Sequence, residues 1–153
     1  MGRMYTASVV GVAATAAQDF FAFTAAADMC VIVHSVRISQ TTEFGDAAAE
    51  MLDVSLTRYA TIGSIGSTPV ARPHNVGDVA SSLTAIHAND TTQGATPTVL
   101  LADSFNVQAG WLYVPTPEER MVVSPSGVFA VEVSAPADSV TFSGSITFEE
   151  IGG

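Results

Sequence analysis

The chain has 153 residues, enough for one domain that buries roughly 70% of the surface its unfolded form would expose. Hydrophobic residues make up 48% and charged residues only 13%, about half the usual share. Fifteen acidic residues face five arginines and no lysine, for a net charge of −10, so the clustered cations that displace phosphate counterions are missing. Nucleic acid and anionic bilayers are thereby excluded as partners. No apolar run approaches the ~20 residues of a spanning helix, which leaves burial between subunits as the simplest cover for the excess apolar surface.

In chain order, residues 4–12 (M-Y-T-A-S-V-V-G-V) read as a first strand and residues 18–24 as a second, aromatic through Phe20, Phe21 and Phe23. Ala25-Ala26-Ala27-Asp28 turns the chain into a long third strand, residues 30–40. Period-two alternation there puts Cys30, Ile32, His34, Val36 and Ile38 on one face. Cys30 is the only cysteine, which excludes an internal disulfide, and it reads as a small buried hydrophobe. Residues 43–50 (E-F-G-D-A-A-A-E) read as one helical turn with Asp46 as N-cap. A fourth strand follows over residues 51–59, with Leu52, Val54 and Leu56 opposed to Asp53, Ser55 and Thr57.

Residues 61–77 (T-I-G-S-I-G-S-T-P-V-A-R-P-H-N-V-G) hold three glycines and two prolines, the composition of a long surface loop that carries contacts rather than core. Short strands are expected at 82–88, 97–102, 104–107, 110–114 and 120–124. In the last stretch Val140, Phe142, Ile146 and Phe148 alternate with hydroxyl residues and Glu149, while residues 128–134 are more apolar on both sides. Ala135-Pro136-Ala137-Asp138 breaks the two halves, which are expected to pair as an antiparallel hairpin, with Gly144 marking a bulge or bend. The pattern is all-β: a single β domain over residues 1–153, a β-sandwich or jelly-roll-like barrel of eight to ten short antiparallel strands.

Catalytic and metal chemistry find little support. His34, His74 and His87 show no ligand spacing, and His34 reads as a satisfied core histidine. Glu118-Glu119 and Glu149-Glu150 point to opposite strand faces, and no nucleophile elbow or phosphate loop occurs. Neither an enzyme nor a cofactor is expected. The most distinctive run is G-W-L-Y-V-P-T-P, where Trp111 and Tyr113 share a face that packs against core or a subunit, or else stacks on a sugar ring. Phe20, Phe21, Arg72 and His74 join them as candidate interface or ligand contacts.

Three runs together, M-Y-T-A-S-V-V-G-V-A-A-T-A-A-Q-D-F-F, G-W-L-Y-V-P-T-P-E-E-R and D-S-V-T-F-S-G-S-I-T-F-E-E, resemble small structural proteins of tailed bacteriophages. Within that group the chain is most similar in size and style to capsid decoration (cement) proteins. The resemblance implies a lysine-poor β-fold, commonly a homotrimer, on the outer capsid surface of the virion, bridging copies of the major capsid protein. It supplies no site motif. The alternative is a carbohydrate- or receptor-binding module of a phage fibre or tail, using Trp111, Tyr113 and the 61–77 loop.

Overall fold

The alternation of apolar and hydroxyl residues resolves into two antiparallel sheets packed face to face in the computed structural model, which describes residues 2–41 and 50–152. The strands are β1 (Arg3–Ala14), β2 (Gln18–Thr24), β3 (Met29–Gln40), β4 (Met51–Tyr59), β5 (Arg72–Pro73), β6 (Ala85–Asp90), β7 (Thr98–Asn106), β8 (Trp111–Tyr113), β9 (Val122–Val123), β10 (Val128–Val133) and β11 (Val140–Gly152). One sheet runs β5-β1-β11-β3-β8, with β9 also on β3; the other runs β6-β2-β10-β4-β7. The fold is the expected β-sandwich, although β1, β3 and β11 reach 12 to 13 residues and are not short. Among the described residues the only helical turn is the 3-10 segment Pro117–Glu119. The turn expected over residues 43–50 lies, save for Glu50, outside the described residues.

The space between the sheets is filled by rings. Tyr5 stacks on Phe148 at 5.7 Å, Phe148 on Phe23 at 5.8 Å, and Phe23 meets Phe129 at 5.4 Å, so one ladder crosses both layers. A second joins Phe105, Phe142 and Phe20, with centroid separations of 6.3 and 6.1 Å. Rings in offset or edge contact add about 0.5–1.5 kcal/mol per pair to their burial. Emptying one such position, as in Phe148→Ala, is the kind of core deletion that costs about 3–5 kcal/mol.

Connections swap layers almost every time. β1, β3 and β11 belong to one sheet and β2, β4 and β10 to the other. The expected C-terminal hairpin is therefore corrected: β10 pairs with β2 and β4, whereas β11 pairs with β1 and β3. Period-two alternation identifies both strands, but it carries no information about which partner a strand takes.

The third strand also needs correction. Opposite Thr147 and Phe148, β3 carries one residue more than β11, and that residue is His34. Such a bulge resets the alternation. Val31 and Val33 face inward before it, Val36 and Ile38 after it, and His34 lies outside the core with Nε2 3.0 Å from Glu149 Oε2. Cys30 and Ile32 are likewise only partly buried. A bulge occurs near Gly144, but on its neighbour: β1 gains a residue between Val9 and Val12, with Gly11 at a φ of +66°. Gly144 itself lets the Phe20 ring and the Arg37 carbonyl approach the backbone more closely than a Cβ would permit.

Residues 60–84 bind one side of the sandwich. The chain leaves β4, pairs with the β6 edge at Ser67 and Ala88, crosses to β1 through β5, and returns to β6. Tyr5 donates to the Val79 carbonyl at 3.1 Å. The buried Glu150 carboxylate accepts from Ser81 Oγ at 2.5 Å and from the Ser82 amide at 3.0 Å. On the opposite side, Trp111 Nε1 donates to Asp103 Oδ2 at 3.0 Å and so ties β8 of one sheet to β7 of the other.

Candidate functional site

The six residues singled out from the sequence do not converge. Phe20 and Phe21 are 0% and 1% exposed, packed edge to face at 5.0 Å inside the core, and leave no surface for a partner. Trp111 and Tyr113 do stack, at 6.1 Å and 13° between planes, but each is only 8% exposed. Pairing with Ile38 and Val36 sets their rings toward the core, so a sugar loses its platform there. The Trp111 indole and the Ser104 amide hold the exposed Asp103 carboxyl below its ordinary range. Arg72 and His74 are exposed at the β5 edge, the opposite edge of the same sheet. His74 Nε2 lies 2.7 Å from Thr6 Oγ1, which lies 2.8 Å from Thr147 Oγ1.

The densest polar chemistry sits elsewhere, on the outer face of the five-stranded sheet. Small residues make room for it. Ala22, Ala130 and Val128 form an apolar floor under the Tyr59 ring, and Gly94 lies so close to that ring that any side chain would overlap it. The ring thus lies along the sheet and carries its hydroxyl to two carboxylates, Asp19 Oδ1 at 3.0 Å and Glu132 Oε1. Asp19 is 0% exposed, and its Oδ2 has no hydrogen-bond partner. Beside it, the buried Asp90 accepts from the Gly66 amide at 2.7 Å and sits 3.0 Å from His87 Nδ1.

The electrostatics follow from the burial. Loss of water pushes the Asp19 carboxyl up to about 7. The Tyr59 hydroxyl and the Gly94 amide pull it down, while the Glu132 and Asp90 charges add to the rise. Tyr59 is raised well above an ordinary phenol, first by burial and then by the carboxylates it serves. Next to this cluster a groove of ≈ 360 Å³ is lined by Asp53, Asp103, Glu132, Ser55, Ser104 and Ser134. Ala17, Val54, Ala102 and Val133 stand between these acids and hydroxyls, so the groove is apolar as well as polar. Among the described residues no three His, Cys, Asp or Glu side chains are placed to hold a metal ion.

The sequence does not announce this cluster, because its members come from four strands with no fixed spacing. One signal was available: Glu132 stands between Val131 and Val133, and Asp19 directly precedes Phe20 and Phe21. A carboxylate in a strand apolar on both faces must find a partner where it is buried.

No family model matches the chain, and no curated protein matches it. Among solved structures it is similar to a chain from the crystal structure of the T13 IBDV viral particle, with 17% identity and a TM-score of 0.25. The match covers 99% of this chain and 40% of that one, so the chain spans well under half the length of the protein it matches. At that TM-score the likeness carries no argument about fold or function.

Proposed function

We propose that the chain is a structural protein of a virion: a capsid decoration protein that sits as a homo-oligomer, a trimer, on the outer surface of a bacteriophage head and bridges copies of the major capsid protein. On this reading it is not an enzyme and uses no cofactor. The observation that carries the proposal is the placement of large apolar side chains on the outside of a chain poor in charge. Val76 is 98% exposed and Val10 84%, and Ile65, Val70 and Val79 are exposed on the same 60–84 segment. Leu112, Val122 and Ile151 add further apolar groups on the six-stranded sheet, with Val114 just beyond β8. Single exposed hydrophobes are ordinary, but several on one surface segment mark a contact surface.

A second feature supports self-association or docking. β7 is the last strand of its sheet, nine residues long, and Asp103 is its only charge. Long edges with little charge and no proline invite pairing with another chain.

The test has two arms. Gel filtration with light scattering at micromolar concentration is expected to return a multiple of the chain mass. Purified protein mixed with undecorated heads is expected to co-sediment with them and to appear as density on the outer shell. Val70→Asp with Val76→Asp should abolish both without lowering the unfolding midpoint. A clean monomer that leaves undecorated heads bare would overturn the proposal.

A further inference from the structure

The hydrogen-bonding groups on the outer face of the five-stranded sheet do not balance unless they hold an extra proton. Tyr59 has one O–H, yet its oxygen contacts two carboxyl groups, Asp19 Oδ1 at 3.0 Å and Glu132 Oε1. A phenol donates once. With both acids ionised, one of those contacts would set a lone pair against a carboxylate in a site with little water, and it would repel. A second proton must therefore reside on one of the two acids.

Surroundings decide which one. Glu132 is half-buried and has a second donor, Ser55 Oγ, at 3.4 Å from Oε2. Asp19 is fully buried, its Oδ2 meets no donor, and a third acid, Asp90, stands directly across the β2–β6 ladder from it. The charge of Asp90 is itself engaged by His87 and by the Gly66 amide. Every element packed on Asp19 is thus accounted for: Tyr59 from β4, Glu132 from β10, Asp90 with His87 from β6, and the Gly94 amide from the segment after β6. None brings a lysine or arginine. A buried carboxyl without a cation takes up a proton instead.

We propose that Asp19, Tyr59 and Glu132 form a proton-binding clasp. Asp19, as a neutral carboxylic acid, donates to the Tyr59 oxygen; Tyr59 donates to Glu132; and loss of that proton loosens the segments lying over the sheet. Those segments are 60–67 and 91–95. They bond to one another through Ala60 N to Ala95 O at 2.9 Å, Ala95 N to Thr61 O at 3.1 Å, and Ser64 N to Thr92 O at 3.0 Å. They reach the clasp directly through Gly94 on the Tyr59 ring, and reach its neighbour Asp90 through the Gly66 amide. The proton leaves to solvent on deprotonation, the hydrogen bond that Asp19 donated to Tyr59 is lost with it, and no other covalent bond changes. The remaining charges of Asp19, Glu132 and Asp90 then repel beneath these segments, and the cover opens.

The direction with pH follows from linkage. Asp19 binds its proton more tightly in the folded chain than in the unfolded one. Its contribution is therefore complete in acid, below the ordinary aspartate range, and is lost as pH rises to about 7. The experiment compares the wild-type chain, Asp19→Asn and Glu132→Gln by thermal unfolding from pH 4 to pH 9, with infrared spectra across the same range. The amide introduced by Asp19→Asn keeps a donor to Tyr59 and has no charge to acquire. Across that range the unfolding constant of the wild type should rise on the order of tenfold or more relative to Asp19→Asn, which should be the more stable of the two at pH 8. The wild type should show a carboxylic-acid carbonyl band at pH 6 that is missing in Asp19→Asn. In Glu132→Gln the band should titrate away at lower pH, because a neighbouring charge is gone. Absence of the acid band in the wild type at pH 6, or parallel pH profiles for wild type and Asp19→Asn, overturns the clasp. The band decides the matter even if a variant folds poorly.

Discussion

Gly144 shows how one missing side chain organises a core. The Phe20 ring edge and the Arg37 carbonyl both occupy the space a Cβ would take, so the second ring ladder closes only over glycine. Gly144→Ala should force the ring off its rotamer and cost about 1–3 kcal/mol, read as a lower urea midpoint with unchanged slope. At this scale the sequence is partly legible. Gly144 stands out within an alternating strand as the mark of a bulge or bend; the bulge falls on β1 beside it, and Gly144 itself serves close approach. His34 is misplaced when alternation is carried through a bulge, and nothing in C-V-I-V-H-S-V-R-I marks where the extra residue falls. Asp19 and Glu132 are visible as acids among apolar neighbours. Their meeting at Tyr59 depends on the order of β2, β10 and β4 across the sheet, which no local pattern encodes.

Among the elements, the segment of residues 60–84 depends most on a few polar contacts. Beyond the β5–β1 pairing, its hold on the six-stranded sheet passes in part through Glu150, which is buried and accepts from Ser81 and Ser82. Glu150→Ala would leave the Ser82 amide without its acceptor, at a cost of about 1–3 kcal/mol. Amide exchange should then quicken across residues 78–84 before the rest of the fold responds, whereas Glu150→Gln, which keeps an acceptor oxygen, should fall between the two. The glycine and proline content of residues 61–77 foretells a surface segment. It does not foretell that the segment supplies β5, because that pairing needs partners near the start of the chain's first strand, as between Arg72 and Thr6. The strands themselves are legible almost throughout. Their neighbours are not, and the C-terminal pair is the clearest instance: two well-marked strands, adjacent in sequence, that belong to different layers.

For the whole molecule, composition sets the question and the surface gives the reply. Low charge and high apolar content are only partly absorbed by the double-layer core, and the remainder projects from residues 60–84 and from the strands of both sheets. Nearly every pairing is also remote in sequence: β1 with β11, β3 with β11, β2 with β10. Folds built on such pairings close slowly, on the order of milliseconds to seconds. Stopped-flow refolding followed by the single Trp111, stacked on Tyr113, should fall in that range, and a microsecond phase carrying the full amplitude would contradict it. The order of the central strands has a further consequence. β10 and β11 come later in the chain than each strand they join. A ribosome therefore releases β1 to β4 long before either layer has its middle. The nascent polypeptide must keep those greasy ribbons apart, by dilution or by a chaperone, until the last two strands arrive to zip each sheet through its centre.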